Sequence, residues 1–176
     1  MQDKIVITDY GFPNVETEKS IFQEAGYQVK AYRDIGEEDD IIRICSDAVA
    51  ILSERKRITK NIIDRLSKCK AILRYGIGYD VIDVATASKK GIKVLNVPAY
   101  CHEEVAEHAL ALLLSSARRI PLLNKNVKEE KSWDFRVAIP IFRISGKILG
   151  LIGFGSIART LANKAQALGL NIIAYD

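Results

Sequence analysis

The residues from Lys147 to Asp176 place a glycine turn between an apolar run and a helical one, and few folds accept that order. Lys147 to Ile152 reads as a strand, Gly153-Phe154-Gly155-Ser156-Ile157-Ala158 as a tight turn, and Ile157, Leu161, Ala165 and Leu168 as one face of the helix that follows. Gly169 stops that helix, Asn171 to Tyr175 forms a second strand, and Asp176 follows it. A Gly-x-Gly-x-x-Gly/Ala string alone carries little weight. Set after a strand, opening a helix, and inside a unit of about thirty residues that closes on an acid, it is the fingerprint of a dinucleotide-binding βαβ unit.

The residue types suit that task. Gly153 permits the tight turn, Gly155 lets the backbone approach a pyrophosphate, and Ala158 is small enough for close contact of helix and sheet. The N–H groups of Ser156 and Ile157 then face the diphosphate together with the positive end of the helix dipole. Asp176 lies 18 residues after Ala158, near the spacing at which an acid accepts hydrogen bonds from an adenosine ribose and repels a 2′-phosphate, so NAD is expected over NADP. The cofactor-binding set is Gly153, Phe154, Gly155, Ser156, Ile157 and Asp176. The plainer reading, a tight turn beside a solvated acid, stays open.

Upstream, short runs rich in β-branched residues alternate with segments of helical period, as in βαβ units with a parallel sheet. Strands are predicted at Lys4–Thr8, Tyr27–Ala31, Ala48–Leu52, Ala71–Leu73 and Lys93–Asn96. Helices are predicted from the Asn14/Thr17 region to Ala25, over Asp39–Cys45, after a Thr59 cap with Ile62, Ile63 and Leu66 inward, and over Val81–Lys90. The segment Glu103–Arg119 leaves only a narrow polar face, so the helix is expected to be buried on most sides. The charged stretch Lys125–Lys131 and the irregular one from Trp133 to Arg143 read as a connection.

Composition excludes several classes. With 48% hydrophobic and 27% charged residues the chain is an ordinary globular sequence. Twenty-six basic against 22 acidic residues give a net charge of +4, scattered rather than clustered, and Arg55-Lys56-Arg57 reads as a solvated loop, so no nucleic-acid partner is expected. Cys45, Cys69 and Cys101 are odd in number and widely spaced, without metal-ligand spacing. No signal-peptide core and no apolar run of about 18 residues occurs, so the expectation is a cytoplasmic protein without a membrane span or a metal.

Taken in order, these segments resemble the D-2-hydroxyacid dehydrogenase family, in particular its phosphoglycerate-dehydrogenase-like members and the related C-terminal-binding-protein corepressors. The resemblance runs through Arg74-Tyr75-Gly76-Ile77-Gly78-Tyr79-Asp80-Val81-Ile82-Asp83, then Gly91 to Pro98, Glu104 to Leu110, Trp133-Asp134-Phe135, Gly146 to Gly150 and the glycine turn. It covers residues 71–176; residues 1–70 match in element pattern only. It implies a flavodoxin-like parallel-sheet substrate domain over residues 1–98, followed over 101–176 by a crossing helix and the first βαβ unit of a Rossmann nucleotide-binding domain, with the active cleft between. By the same resemblance, amides of Gly76, Ile77 and Gly78 hold the carboxylate of a small 2-hydroxy or 2-oxo acid, and glycines let successive N–H groups converge on an anion. Val105 falls at a position that packs near the cofactor, or is plain core. Arg74 reads equally as a substrate contact or as a salt-bridged strand-end arginine. The helix over 103–119 is expected to build a homodimer.

Hydride transfer needs a base at the substrate hydroxyl and a cation that polarises the oxygen. In the family these are an Arg, a Glu and a His from the second half of the nucleotide domain, and none has a counterpart here. His102 reads as a loop or cap residue and His108 as a core or interface residue. The expectation is therefore a truncated NAD-dependent 2-hydroxyacid dehydrogenase, inactive alone. The alternative is a non-catalytic NAD(H)-responsive interaction module related to the corepressors.

Overall fold

The computed structural model describes residues 2–176. The chain divides into two compact units, the first ending at Tyr100 and the second spanning Cys101–Asp176.

The first unit runs β1 (Lys4–Ile7), α1 (Glu16–Glu24), β2 (Gln28–Ala31), α2 (Glu38–Cys45), β3 (Ala48–Ser53), α3 (Lys60–Asp64), β4 (Ala71–Arg74), α4 (Val84–Lys89) and β5 (Lys93–Leu95). All five strands pair in parallel, in the order β2-β1-β3-β4-β5. That order is flavodoxin-like, and its switch point lies between β1 and β3. Side chains alternate across the strands. Val6, Ile51 and Ile72 face a cluster completed by Ile41, Cys45, Ile62, Ile63, Leu66 and Ala87, while Ile5, Ile7 and Leu52 face Val15 and Phe22 on the other side. Both faces of the sheet are thus covered, which is why its central strands read as unbroken apolar runs.

Local chemistry sets the helix starts. The Thr59 hydroxyl accepts from the Ile62 amide at 3.3 Å, and Ile62, Ile63 and Leu66 are buried as predicted. The predicted start of the fourth helix at Val81 is corrected to Val84. The amide of Ile58 bonds the Val81 carbonyl at 2.8 Å and the Asp83 amide bonds the Ile58 carbonyl at 3.0 Å, which holds that stretch extended. Asp83 then caps the helix by accepting from the Thr86 amide at 2.9 Å.

The second unit runs α5 (His102–Ala117), α6 (Ile120–Lys128), a 3₁₀ turn at Phe135–Ala138, β6 (Ile148–Ile152), α7 (Ser156–Ala167) and β7 (Asn171–Tyr175), with β6 and β7 parallel. Residues 125–128, predicted as connection, are helical. Pro121 stands in the first turn of α6, a favoured place for proline, and Arg119 at φ 51° separates this helix from α5. α5 packs against α7; Ala106, Ala162 and Ala165 are their buried residues. The expectation that α5 is buried on most sides fails within this chain: Leu112 is 59% exposed and Val105 is 41% exposed. The chain supplies too few partners for so apolar a helix.

Candidate functional site

The glycine turn is anchored at both strand ends. Gly153, at φ +86°, donates its amide to the Tyr175 carbonyl at 2.7 Å, tying the end of β6 to the end of β7. The next amide, that of Phe154, donates to Asp176 Oδ1 at 3.0 Å, so the predicted acid stands beside the predicted turn. Arg159 Nε donates to the Phe154 carbonyl at 2.8 Å. Gly155 caps α7 with φ −69° and ψ −171°, and no side chain caps that end. Among the described residues the amides of Gly155, Ser156 and Ile157 have no acceptor.

Gly155 is informative because the fold does not need it. Its backbone is one that any residue adopts, and a Cβ built there meets no atom within 4 Å. Gly153 is different, since its positive φ strains any other residue. On α7 the predicted inner face is partly displaced: Ala165 is buried, Ile157 and Leu161 are half-buried, Leu168 is 39% exposed, and Ala162 is buried in its place.

In the first unit a second glycine segment leaves the carboxyl end of β4. The Tyr75 amide bonds the Ser53 carbonyl at 2.8 Å and the Gly76 amide bonds the Arg74 carbonyl at 2.9 Å. Gly76 has φ +145°, and a Cβ there would lie 1.2 Å from Arg74 Nη1, so the absent side chain makes room for the guanidinium. That guanidinium donates to the Tyr75 carbonyl at 2.8 Å, while its Nε is buried without a partner. No carboxylate pairs with Arg74 among the described residues, so the salt-bridged reading of this arginine is not what the structure shows. The Gly76 amide is spent inside the turn, and the amides of Ile77 and Gly78 are without acceptors among the described residues.

Sequence reading passed over Asp9. Its carboxylate, 7% exposed, stands at the switch point between β1 and β3. It accepts from the hydroxyls of Thr8 and Ser53 at 2.8 and 3.1 Å, and from the amides of Glu54, Arg55 and Lys56 at 3.1, 2.6 and 3.2 Å. An acid at the end of a buried strand was the available signal. A crevice of about 330 Å³ adjoins it, lined by Asp9, Tyr10, Arg33, Asp34, Glu54 and Lys56 among others. Its cations are satisfied within the unit: Arg33 donates to the carbonyls of Phe12 and Pro13 and covers the Tyr10 ring, and Lys56 donates to the Gly36 carbonyl and pairs with Asp34. The Lys56 ammonium, then the Gly36 amide, hold the Asp34 carboxyl below the usual carboxylate range.

Elsewhere, His102 opens α5 half-buried and His108 is exposed, which removes the core reading of His108. An apolar cavity of about 490 Å³ is lined by Ile120, Leu123, Val127, Trp133 and Phe135, with Trp133 itself 90% exposed. Among the described residues no cluster of His, Cys, Asp and Glu suits a metal, and no helix is long and apolar enough to cross a membrane.

The profile of the family described as D-isomer specific 2-hydroxyacid dehydrogenase, catalytic domain, matches residues 5–175. A hydroxypyruvate reductase of Thermotoga maritima is 42% identical over 141 residues, covering 80% of this chain and 45% of that protein. A D-3-phosphoglycerate dehydrogenase of Methanocaldococcus jannaschii is 35% identical over 173 residues, covering 98% of this chain and 32% of that protein. Among solved structures, D-lactate dehydrogenase from Aquifex aeolicus, complexed with NAD and lactic acid, superposes with a TM-score of 0.85 at 26% identity, covering 98% of this chain and 51% of that one. The chain therefore spans between about a third and about half of the length of these relatives.

Proposed function

Because the chain belongs to the D-isomer specific 2-hydroxyacid dehydrogenase family, we propose that it is part of an NAD-dependent oxidoreductase moving a hydride between nicotinamide and a small 2-hydroxy or 2-oxo acid. In this reading residues 1–98 are the substrate domain, and residues 101–176 hold the crossing helix and the first βαβ unit of a Rossmann domain. The amides of Ile77 and Gly78, with Arg74 beside them, receive the substrate carboxylate. Gly153 to Ile157 receive the cofactor's diphosphate, and Asp176 its adenosine ribose. Bound NAD would supply the hydride acceptor.

Gly155 carries the reading. Neither strain nor packing inside the chain requires glycine there, whereas a diphosphate resting on the amides of residues 155–157 leaves no room for a side chain. The Arg74 Nε, a buried donor of a charged group with no acceptor, supports an anion on the other unit, because such a donor is costly unless something accepts from it.

The decisive test is Gly155→Val, with NADH binding followed by NMR. The wild-type chain should bind NADH, weakly. The variant should melt like wild type and lose the binding. A variant that binds as wild type does would overturn the assignment.

The same reading makes these 176 residues inactive by themselves, since both histidines sit on α5 and the family's Arg, Glu and His lie in a later segment; NADH turnover with hydroxypyruvate would refute it. A homodimer through helix 103–119 is proposed from the exposure of Val105 and Leu112, at 41% and 59%. The exposed Trp133 and Phe135 around an apolar cavity favour one second reading, an NAD(H)-responsive interaction module without catalysis. Saturable hydroxypyruvate shifts at Ile77 and Gly78 in NMR favour the first, and their absence beside intact NADH binding favours the second.

A further inference from the structure

We infer that Asn96, with the amide of Val97, is the positioning element of the substrate-carboxylate cradle, turning the Ile77 and Gly78 amides outward; this rests on the reading of Gly76–Gly78 given above. Asn96 follows β5 and donates its side-chain amide to the Ile77 carbonyl at 2.8 Å. The neighbouring Val97 backbone amide donates to the Gly76 carbonyl at 3.0 Å. In a trans peptide the carbonyl and the following N–H lie in one plane and point in opposite directions. Holding the Gly76 carbonyl toward residue 97 therefore aims the Ile77 amide the other way. Holding the Ile77 carbonyl toward Asn96 does the same for the Gly78 amide.

The two amides so aimed are those without acceptors, while the third, that of Gly76, is bonded to Arg74. β5 thus presets the donors from behind, without touching the ligand. A convergent pair of amides fixed before binding loses little freedom when an anion arrives. The Asn96 side chain is needed as a donor. An isosteric Asp offers only acceptors, and would push the Ile77 carbonyl away.

The test uses Asn96→Asp and Asn96→Ala in the full 176-residue chain, with hydroxypyruvate as the probe and chloride as the control anion. Backbone NMR reads the Ile77 and Gly78 resonances, and core resonances such as those of Ile51 and Ile72 report the fold. Wild type should show saturable shifts at Ile77 and Gly78. Asn96→Ala should weaken binding by about tenfold, and Asn96→Asp by more, with the core resonances unmoved. A merely structural asparagine would move the melting temperature without this ranking. Native-like binding by both variants overturns the role of Asn96 and leaves the cradle standing. An absence of shifts in the wild type overturns the cradle itself, and the role of Asn96 falls with it.

Discussion

In the first unit Val6, Ile7, Ile51 and Ile72 are fully buried, whereas in the second the strands expose Ile148, Ile152, Ile173 and Tyr175 at 65%, 95%, 59% and 79%. The sequences look alike, since both sets are β-branched runs next to helices. The register explains the difference: Ile148 and Ile152 of β6 pair with Asn171 and Tyr175 of β7, and Ile173 pairs with Gly150, so these side chains share one face. In the first unit every such face meets a helix, and in the second this one does not. Parallel strands are stable when both faces are covered, so the first unit supplies its own core and the second depends more on its helix pair. The glycine turn is nevertheless well placed, because it is held by strand ends and not by the open face.

The largest effect should come from cutting the first core. Ile51→Ala removes a side chain that is 0% exposed and should cost about 2–5 kcal/mol in urea unfolding. Ile152→Ala, at a residue 95% exposed, should stay within about 0.5 kcal/mol. Equal costs at the two sites would erase the contrast between the units.

Next comes Asp9→Ala, which leaves the amides of Glu54, Arg55 and Lys56 pointing at nothing. The expected loss is about 3 kcal/mol, since buried donors without acceptors are costly. Added formate should recover part of it by entering the vacated nest, and should do nothing for wild type. Amide exchange at residues 54–56 is the local readout. Slow exchange there in Asp9→Ala without formate would mean that the carboxylate is dispensable.

What the sequence disclosed follows the same division. The strands of the first unit were legible because burial on both faces writes itself as β-branched runs, and Thr59 was legible because a cap is a local event. The glycine turn was legible because Gly153 takes a positive φ directly after a strand and a helix is capped two residues later, both local events. Asp9 and Asn96 were not, because each acts through partners far along the chain, at Glu54 to Lys56 and at Ile77. The surroundings of α5 were misjudged for a related reason: an apolar helix announces that it needs cover but not where the cover comes from. α6 was missed because charged residues drew the eye from Pro121, a start signal in plain view.

Thiol chemistry gives a smaller test of burial in the first unit. Burial pushes Cys45 up to about 12 and Cys69 up to about 11, so both should resist alkylation at pH 8. For Cys45 the folded value lies above the ordinary 9.0, so its contribution is complete below pH 9 and is lost as pH rises toward 12. By pH 10 the loss should be about 1 kcal/mol. Cys45→Ala should flatten that slope, and an unchanged slope would remove Cys45 as its source.

The smallest effect concerns the charges that join α5 to α7. Lys164 reaches Glu103 and Glu107 at 2.9 Å each, and its side chain is 28% exposed. Bonds to Glu103 first and Glu107 second raise its pKa above the ordinary 10.5, so the pairing operates at neutral pH and fades as pH climbs past that value. Water competes for all three groups, and such pairs contribute little. Lys164→Met should lower the melting temperature slightly in dilute buffer and leave it unchanged in high salt, where wild type falls to the same value. A large, salt-independent drop would mean that the Lys164 stem packs the helix pair. The second unit would then resemble the first more than its open strands suggest.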